Sequence, residues 1–392
     1  MKILTIFIDM IRPNRLSTFN PELKADTPLD TAFKELGGTA YRNCFTPGPD
    51  TPRGISTFST GIDPYKNGCN TRLKWPGPFL NKELKTVYDL FLDKDYKLDL
   101  YSSLNERAIG FFPDHISKMN IFNKDHDLDG YLNSLTLEDK HYVFIGIADY
   151  HWMFDDLGYT KQGERESYKI TKDIYDLIFK RFNKDEFDHI FIFSDHGFKF
   201  NYELKKYPKE FLLNDDRTNV IMQHRKKYQN KLVKNDKLCS LADLYATYQD
   251  VLKSNVTNGI SLLSKKERDY VISEDHINFT PSVNQNIELW SLTNKNHIYI
   301  RTLEKAILIN RTTKEIDKGI IEEYDEILKE NSAFGIYFNE YEKVFKYVDN
   351  IKYKLNDNSY YSNNILRTKK NNLSVKILST IELLFNNKHK IT

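Results

Sequence analysis

The sequence predicts an α/β fold: a mainly parallel central sheet flanked by helices, followed by a small C-terminal antiparallel sheet and a helical tail. Three observations carry this prediction. Short apolar runs rich in Val, Ile, Phe and Tyr alternate with amphipathic stretches. Three of these runs lead directly into carboxylate or imidazole residues. After residue 290 the rhythm changes to shorter strand-like runs and a charged segment.

The apolar runs fall at residues 3–8, 98–101, 142–148 and 190–193. They are continuous rather than alternating, which suits strands covered on both faces. Helical stretches lie between them at 84–92, 164–182 and 241–252. In the second, Tyr168, Ile174, Tyr175, Ile178 and Phe182 recur at helical intervals. Such alternation implies parallel strands joined by crossover helices. Further on, 297–301 and 306–310 read as a hairpin and 315–331 as a charged helix. The expected domains are a catalytic one over 1–285 and a C-terminal region over 286–392, in which a small sheet closing the domain is followed by a lid, docking or oligomerisation segment. A chain of 392 residues is long enough for this plan.

Composition excludes several functional classes. Lys and Arg total 57 against 55 Asp and Glu, so no global field favours nucleic acid or an anionic membrane. The three cysteines, Cys44, Cys69 and Cys239, have no metal-knuckle spacing, and so sparse an odd set fits a reducing compartment. Cys44 reads as a small buried thiol rather than a nucleophile. The N-terminal run is short, β-branched and ends on Asp9, which marks a first strand and not a signal peptide. No stretch reaches the roughly 18 apolar residues of a membrane span. A cytoplasmic location is expected.

The chemistry concentrates at strand ends. Residues 3–8 lead into Asp9, residues 142–148 into Asp149-Tyr150-His151, and residues 190–193 into Ser194-Asp195-His196. Open α/β sheets bind ligands at the carboxyl ends of their strands. One Asp at such a place is usually a turn or cap residue; three such ends with two His point to a site. Between the first two runs lies Thr51-Pro52-Arg53-Gly54, running on to Thr60-Gly61 and Asn67-Gly68. Pro47, Pro49 and Pro52 keep the chain extended up to Thr51, and a helix can start near Gly54. A hydroxyl there sits beside free amides and the positive helix end, which favour an alkoxide and a phosphoryl group. Taken alone, Thr51 could equally be a helix cap.

Taken together, these motifs resemble the alkaline phosphatase and sulfatase superfamily. There the nucleophile opens an eleven-residue pattern closing on Thr-Gly, here Thr51 to Thr60-Gly61, with Asn67-Gly68 on the following turn. Asp9-Met10-Ile11-Arg12-Pro13 resembles the opening metal motif, and Ser194-Asp195-His196-Gly197 the late one. The resemblance covers about residues 1–285 and implies an alkaline phosphatase-like fold. It implies that Asp9, Thr51, Asp195 and His196 hold a divalent ion, with Zn²⁺ or Mn²⁺ suiting two carboxylates, an imidazole and an alkoxide. It leaves one ion or two open, with Asp149 a further ligand candidate, and makes His151, Arg53 and Arg12 candidates for substrate oxygens. Sulfatases carry Cys or Ser at the nucleophile, converted to formylglycine. Thr51 cannot supply that aldehyde, and Met10 replaces the second acid of many sulfatases.

The expected activity is therefore phosphoryl transfer through a covalent Thr51 intermediate, as phosphatase, phosphodiesterase or phosphotransferase. The expected substrate is a small-molecule or glycan-linked phosphate ester, as in cell-envelope polysaccharide metabolism. Two rivals are a sulfatase-like hydrolase using unmodified Thr51 and an inactive binding protein that retains the fold. His276 is a weaker ligand candidate. The segment 240–247 resembles a family helix that packs on the sheet. Asp125-His126-Asp127-Leu128-Asp129-Gly130 begins like a calcium loop, but Thr136 stands where a bidentate Glu is required. A solvated acidic turn is expected there.

Overall fold

The computed structural model describes residues 1–69, 80–81, 83–103, 120–122, 127–198, 213–276, 288–335 and 338–339. Residues 1–278 and 287–334 form one compact unit that contains both sheets. The C-terminal tail expected to dock or oligomerise falls on 340–392, outside the described residues.

Among the described residues the main sheet has eight strands: β1 (Lys2–Ile8), β2 (Gly38–Phe45), β3 (Lys97–Ser102), β4 (Asn120–Phe122), β5 (His141–Ile147), β6 (His189–Phe193), β7 (Met222–Lys226) and β8 (Leu232–Ser240). Their order is β4-β3-β5-β1-β6-β7-β2-β8. Only β7 runs against the others, pairing antiparallel with β6 and β2. The four apolar runs are four of the five strands on the parallel side, as their continuous hydrophobicity requires. Residues of β1 divide between two cores. Leu4, Ile6 and Ile8 join α1 (Pro28–Leu36) and the long crossover helix Lys161–Arg181, whereas Ile3 and Phe7 meet the opposite layer.

The remaining helices are α2 (Thr51–Thr60), α3 (Pro64–Asn67), α4 (Val87–Leu92), α5 (Leu128–Ser134), α6 (Asp149–Leu157), α7 (Lys161–Arg181), α8 (Asp215–Thr218), α9 (Asp243–Val251) and α10 (Glu322–Asn331). On the Ile3/Phe7 face, α2 stacks Phe58 on Phe193 at 4.6 Å, and α9 brings the Tyr248 hydroxyl to Thr5 at 2.7 Å. The segment 240–247 thus enters a helix that packs on the sheet. Cys44 and Cys239 are buried and pair across β2 and β8, and burial pushes the Cys44 thiol well up. Among the described residues no helix is long and apolar enough to cross a membrane.

A second, antiparallel sheet runs β13 (Ile316–Lys318), β12 (Ala306–Asn310), β11 (His297–Arg301), β10 (Glu288–Thr293) and β9 (Val271–His276). The hairpin of β11 and β12 pairs Arg301 with Ala306. The charged stretch 315–331 is not helical throughout. Its first residues form β13, because Ile316 pairs with Ile309 and extends the sheet, and α10 begins only at Glu322. The sheet ties itself to the loop before Thr51: the Glu274 amide donates to Pro47 O at 2.8 Å and Ser273 Oγ to Thr46 O at 2.6 Å.

The calcium-like segment is divided. Asp125 and His126 lie outside the described residues, while Asp127 caps α5, its carboxylate accepting the amides of Asp129 and Gly130 at 3.1 and 3.3 Å. That is a helix N-cap.

Candidate active site

Register builds the site. Ile8 of β1 stands beside Ile147 of β5, and Phe7 beside Phe193 of β6. Three parallel strands therefore end level, and the residues that follow them emerge at one edge. The Asp9 amide still donates to Ile147 O at 2.9 Å, which fixes the first carboxylate on the sheet. Met10 then turns into the left-handed region at φ 66° with its side chain in the core. That conformation is costly for a non-glycine residue. It aims the Met10 amide at Asp195 Oδ1, 3.2 Å away.

Thr51 is the first residue of α2, which begins three residues earlier than the sequence suggests. It is not the cap. Asp50 takes that position, accepting the Arg53 amide at 3.2 Å. The Thr51 hydroxyl is thereby released from the usual work of Thr at a helix start. Its Oγ1 lies 3.4 Å from Asp9 Oδ1 and 3.3 Å from His196 Nε2. The helix can approach because residue 54 is glycine: a Cβ there would sit 2.7 Å from the Asp195 carbonyl oxygen.

Asp9, Asp195 and His196 are buried, and one ligand atom of each lies within 4.8 Å of the others. His196 Nε2 is 3.5 Å from both Asp9 Oδ1 and Asp195 Oδ2. Its Nδ1 faces Gly197 O at 2.8 Å, which assigns the ring proton to Nδ1 and leaves Nε2 as a lone-pair donor toward the carboxylates. Burial, then the charge of Asp9, pushes the Asp195 carboxyl well above its ordinary range. Burial also acts against ionised Asp9, but His151 and His196 overcome it and hold this carboxyl low. Burial lowers His196. Asp195 Oδ2 has no hydrogen-bond partner among the described residues. Two buried carboxylates, one with an orphaned oxygen, and an unprotonated imidazole nitrogen form a donor set that a divalent cation fits.

The other sequence candidates divide. His151, on α6 and partly exposed, places Nδ1 2.9 Å from Asp9 Oδ2. Asp149 opens the same helix outside the three-residue cluster, beside Ser103, and burial raises its carboxyl. Arg12 is fully buried and pairs with Glu164 at 2.9 Å. Arg53 is equally buried, and each of its three nitrogens donates within the protein: Nε to Asp50 at 2.6 Å, one terminal nitrogen to Glu274 O at 2.8 Å, and the other to Asp50 and to Asp275, the latter at 2.9 Å. The expectation that Arg12 and Arg53 clamp a substrate oxygen meets guanidinium groups already engaged by carboxylates of the chain. The side chain of His276 lies outside what is described.

A 2-O GAG sulfatase superposes with a TM-score of 0.65 at 15% identity, over 88% of this chain and 92% of its own. A phosphonate monoester hydrolase from Silicibacter pomeroyi gives 0.56 at 11%, over 80% and 89%. A protein of the alkaline phosphatase superfamily from Vibrio parahaemolyticus gives 0.57 at 11%, over 86% of each. The chain has the alkaline phosphatase and sulfatase superfamily fold. No family model matches the sequence, and a search of curated proteins finds no match. Likeness to the superfamily therefore resides in the backbone path and in a few short motifs.

Within this superfamily fold, sequence reasoning overlooked Asp50, Glu164, Asp275 and Arg217. Asp275 accepts from Arg53 and, at 2.6 Å, from Arg217. Burial opposes its charge, but Arg217 and Arg53 together keep its carboxyl below the ordinary range. Asp50 had a local signal, since a carboxylate three residues before Arg53 and ahead of Pro52 is a cap pattern. Asp275 had none: it lies 222 residues from Arg53.

Proposed function

We propose that this protein is a metal-dependent phosphoryl-transfer enzyme in which Thr51 Oγ1 is the nucleophile. The observation that supports this most is the hydroxyl at the start of α2, relieved of capping by Asp50 and set 3.3–3.4 Å from His196 Nε2 and Asp9 Oδ1. Asp9, Asp195 and His196 would hold a divalent ion, with Zn²⁺ or Mn²⁺ fitting the donor types; Asp149 would serve only a second one. When bound, the ion supplies charge stabilisation and lowers the hydroxyl pKa.

The chain's own residues account for the rest. Asp9 and His196 orient the Thr51 hydroxyl. The helix dipole at the start of α2 favours negative charge on the phosphoryl oxygens. His151, partly exposed beside Asp9, reaches toward those oxygens. A P–O bond forms to Thr51 Oγ1 as the bond to the leaving alcohol breaks, and water or an acceptor alcohol then takes the phosphoryl group from Thr51. We assign Arg12 and Arg53 to positioning. Thr51, unable to become formylglycine, favours phosphate esters over the usual sulfatase route, and a glycan-linked or small-molecule ester is the substrate class we favour.

The test is a panel of aryl phosphate, phosphodiester and sulfate esters turned over by the Zn²⁺- or Mn²⁺-loaded chain, with intact-mass detection of a phosphoryl adduct. We expect turnover of phosphorus esters and its loss in Thr51→Ala by at least about a thousandfold. Turnover of sulfate alone, or normal turnover by Thr51→Ala, sinks this reading.

A further inference from the structure

Beyond His151 the site carries a carboxylate with no part in holding the ion or the nucleophile. Asp155 follows His151 by four residues on α6, so the two share a helix face and stand about 6 Å apart along its axis. Asp155 Oδ2 lies 3.8 Å from His151 Nε2, while the other ring nitrogen of His151 faces Asp9 Oδ2 at 2.9 Å. Both side chains are open to solvent, His151 at 29% exposure and Asp155 at 53%. A group that extends from phosphorus past His151 can therefore touch Asp155.

Helix physics does not account for this residue. Asp155 belongs to the last turn of α6, where the carbonyl end of the helix already carries negative charge and no basic residue stands. Among the described residues no Lys or Arg pairs with it. What holds it is Tyr159, whose hydroxyl donates to Asp155 Oδ1 at 2.7 Å. Burial, then Asp155 and Asp9, push that hydroxyl up, so it remains a donor. Tyr159 in turn stacks on Phe198 at 4.5 Å, two residues past His196. The carboxylate is thus fixed between α6 and the loop that carries His196. A local rule broken without a compensating partner marks a functional position.

The charge decides what that position takes. An anionic alcohol is repelled by a carboxylate that no cation of the chain neutralises. A neutral alcohol gains an exposed hydrogen bond in competition with water. A positive charge gains attraction from the carboxylate and from the helix end together. We propose that Asp155 is a specificity-determining residue, selecting phosphate esters whose alcohol carries an ammonium group close to the ester bond. This rests on the reading that Thr51 attacks the phosphoryl group, and it names the alcohol that leaves.

The experiment uses the full, Zn²⁺- or Mn²⁺-loaded chain and three esters of similar size: 2-aminoethyl, propyl and carboxymethyl phosphate, each also as its methyl diester. We expect kcat/KM to fall from the cationic to the neutral to the anionic ester, the first exceeding the last by about tenfold at low salt, and the ratio to shrink as salt is raised. Asp155→Asn, which keeps an acceptor for Tyr159 without the charge, should collapse the ratio, and Asp155→Glu should restore it. A loss shared equally by all three esters in Asp155→Asn would make the residue a support for His151 and overturn the proposal, as would a parent indifferent to charge. Should Asp155→Asn lose its native spectrum, the parent decides: a ratio unmoved by salt overturns the proposal. If no ester is turned over, the Thr51 reading fails by itself, and calorimetry of the three esters on the parent still reads their order. Tightest binding by the cationic ester then upholds Asp155, and equal or absent binding removes it.

Discussion

Asp9 and Asp195 face each other in a buried pocket, and their charges repel. Asp195→Asn should therefore raise the melting temperature of the metal-free protein, because it removes a buried carboxyl that burial and Asp9 both disfavour as an anion. The same change should abolish stabilisation by added Zn²⁺ or Mn²⁺, which in the parent amounts to about 2.7 kcal/mol at a hundredfold excess over Kd. Thermal melts of both proteins with and without the ion check this, and a parent melt indifferent to every divalent ion counts against a metal site. Arg53 obeys the opposite logic. It lies between Asp50 and Asp275, all three nearly inaccessible. Arg53→Met should cost about 3–5 kcal/mol, because it leaves Asp50 buried without its cation and Asp275 with Arg217 alone. Denaturant titration measures the loss; a variant as stable as the parent would mean that the pair is dispensable.

At the scale of elements, α2 is placed by a conflict of two glycine effects. Gly54 in a helix interior sacrifices about 1 kcal/mol relative to Ala, yet a Cβ would meet the Asp195 carbonyl at 2.7 Å and its Cβ at 2.8 Å. Both contacts belong to the strand end that carries the site, so neither can yield cheaply. We expect Gly54→Ala to lower both melting temperature and turnover, as α2 and Thr51 move away from His196. A higher melting temperature with unchanged turnover would show that propensity wins. The polar end of the sheet explains what sequence reading passed over. β2 and the edge strand β8 carry Arg42, Asn43, Lys234, Asn235 and Asp236, and much of β8 is solvent-exposed. Polar residues give no continuous apolar run, so the strand signal vanishes. α1 was readable and overlooked: Thr27 and Asp30 form a capping box ahead of a buried face.

For the molecule as a whole, acid should be destabilising through a histidine pair far from Thr51 in sequence. His189 Nδ1 and His224 Nε2 lie 2.9 Å apart across β6 and β7. Burial lowers His189 from 6.5 to about 4 and His224 from 6.5 to about 3. Unfolded, both take protons below about pH 6.5; folded, they resist until pH 4 or lower. Their contribution is complete above pH 6.5 and is lost as pH falls from there toward 4, by a few kcal/mol. Stability curves against pH should show this slope, and His224→Phe, which stacks on Phe191 and carries no proton, should flatten it. An equal slope in that variant would place the acid sensitivity elsewhere.

By itself the sequence determined the parallel half of the sheet and the residues delivered at its edge: Asp9, Thr51, Asp195 and His196 each stand where an apolar run stops or a helix starts. Those signals are local, since burial on both faces writes a strand as a continuous hydrophobic run and the strand end follows at once. Tertiary structure alone decided that Arg12 meets Glu164, that Arg53 lies between Asp50 and Asp275, and that 315–331 begins as a strand. Partners separated by up to hundreds of residues leave no periodicity in the chain. An arginine buried against a carboxylate and one free to meet a substrate read alike until the fold brings the carboxylate to it.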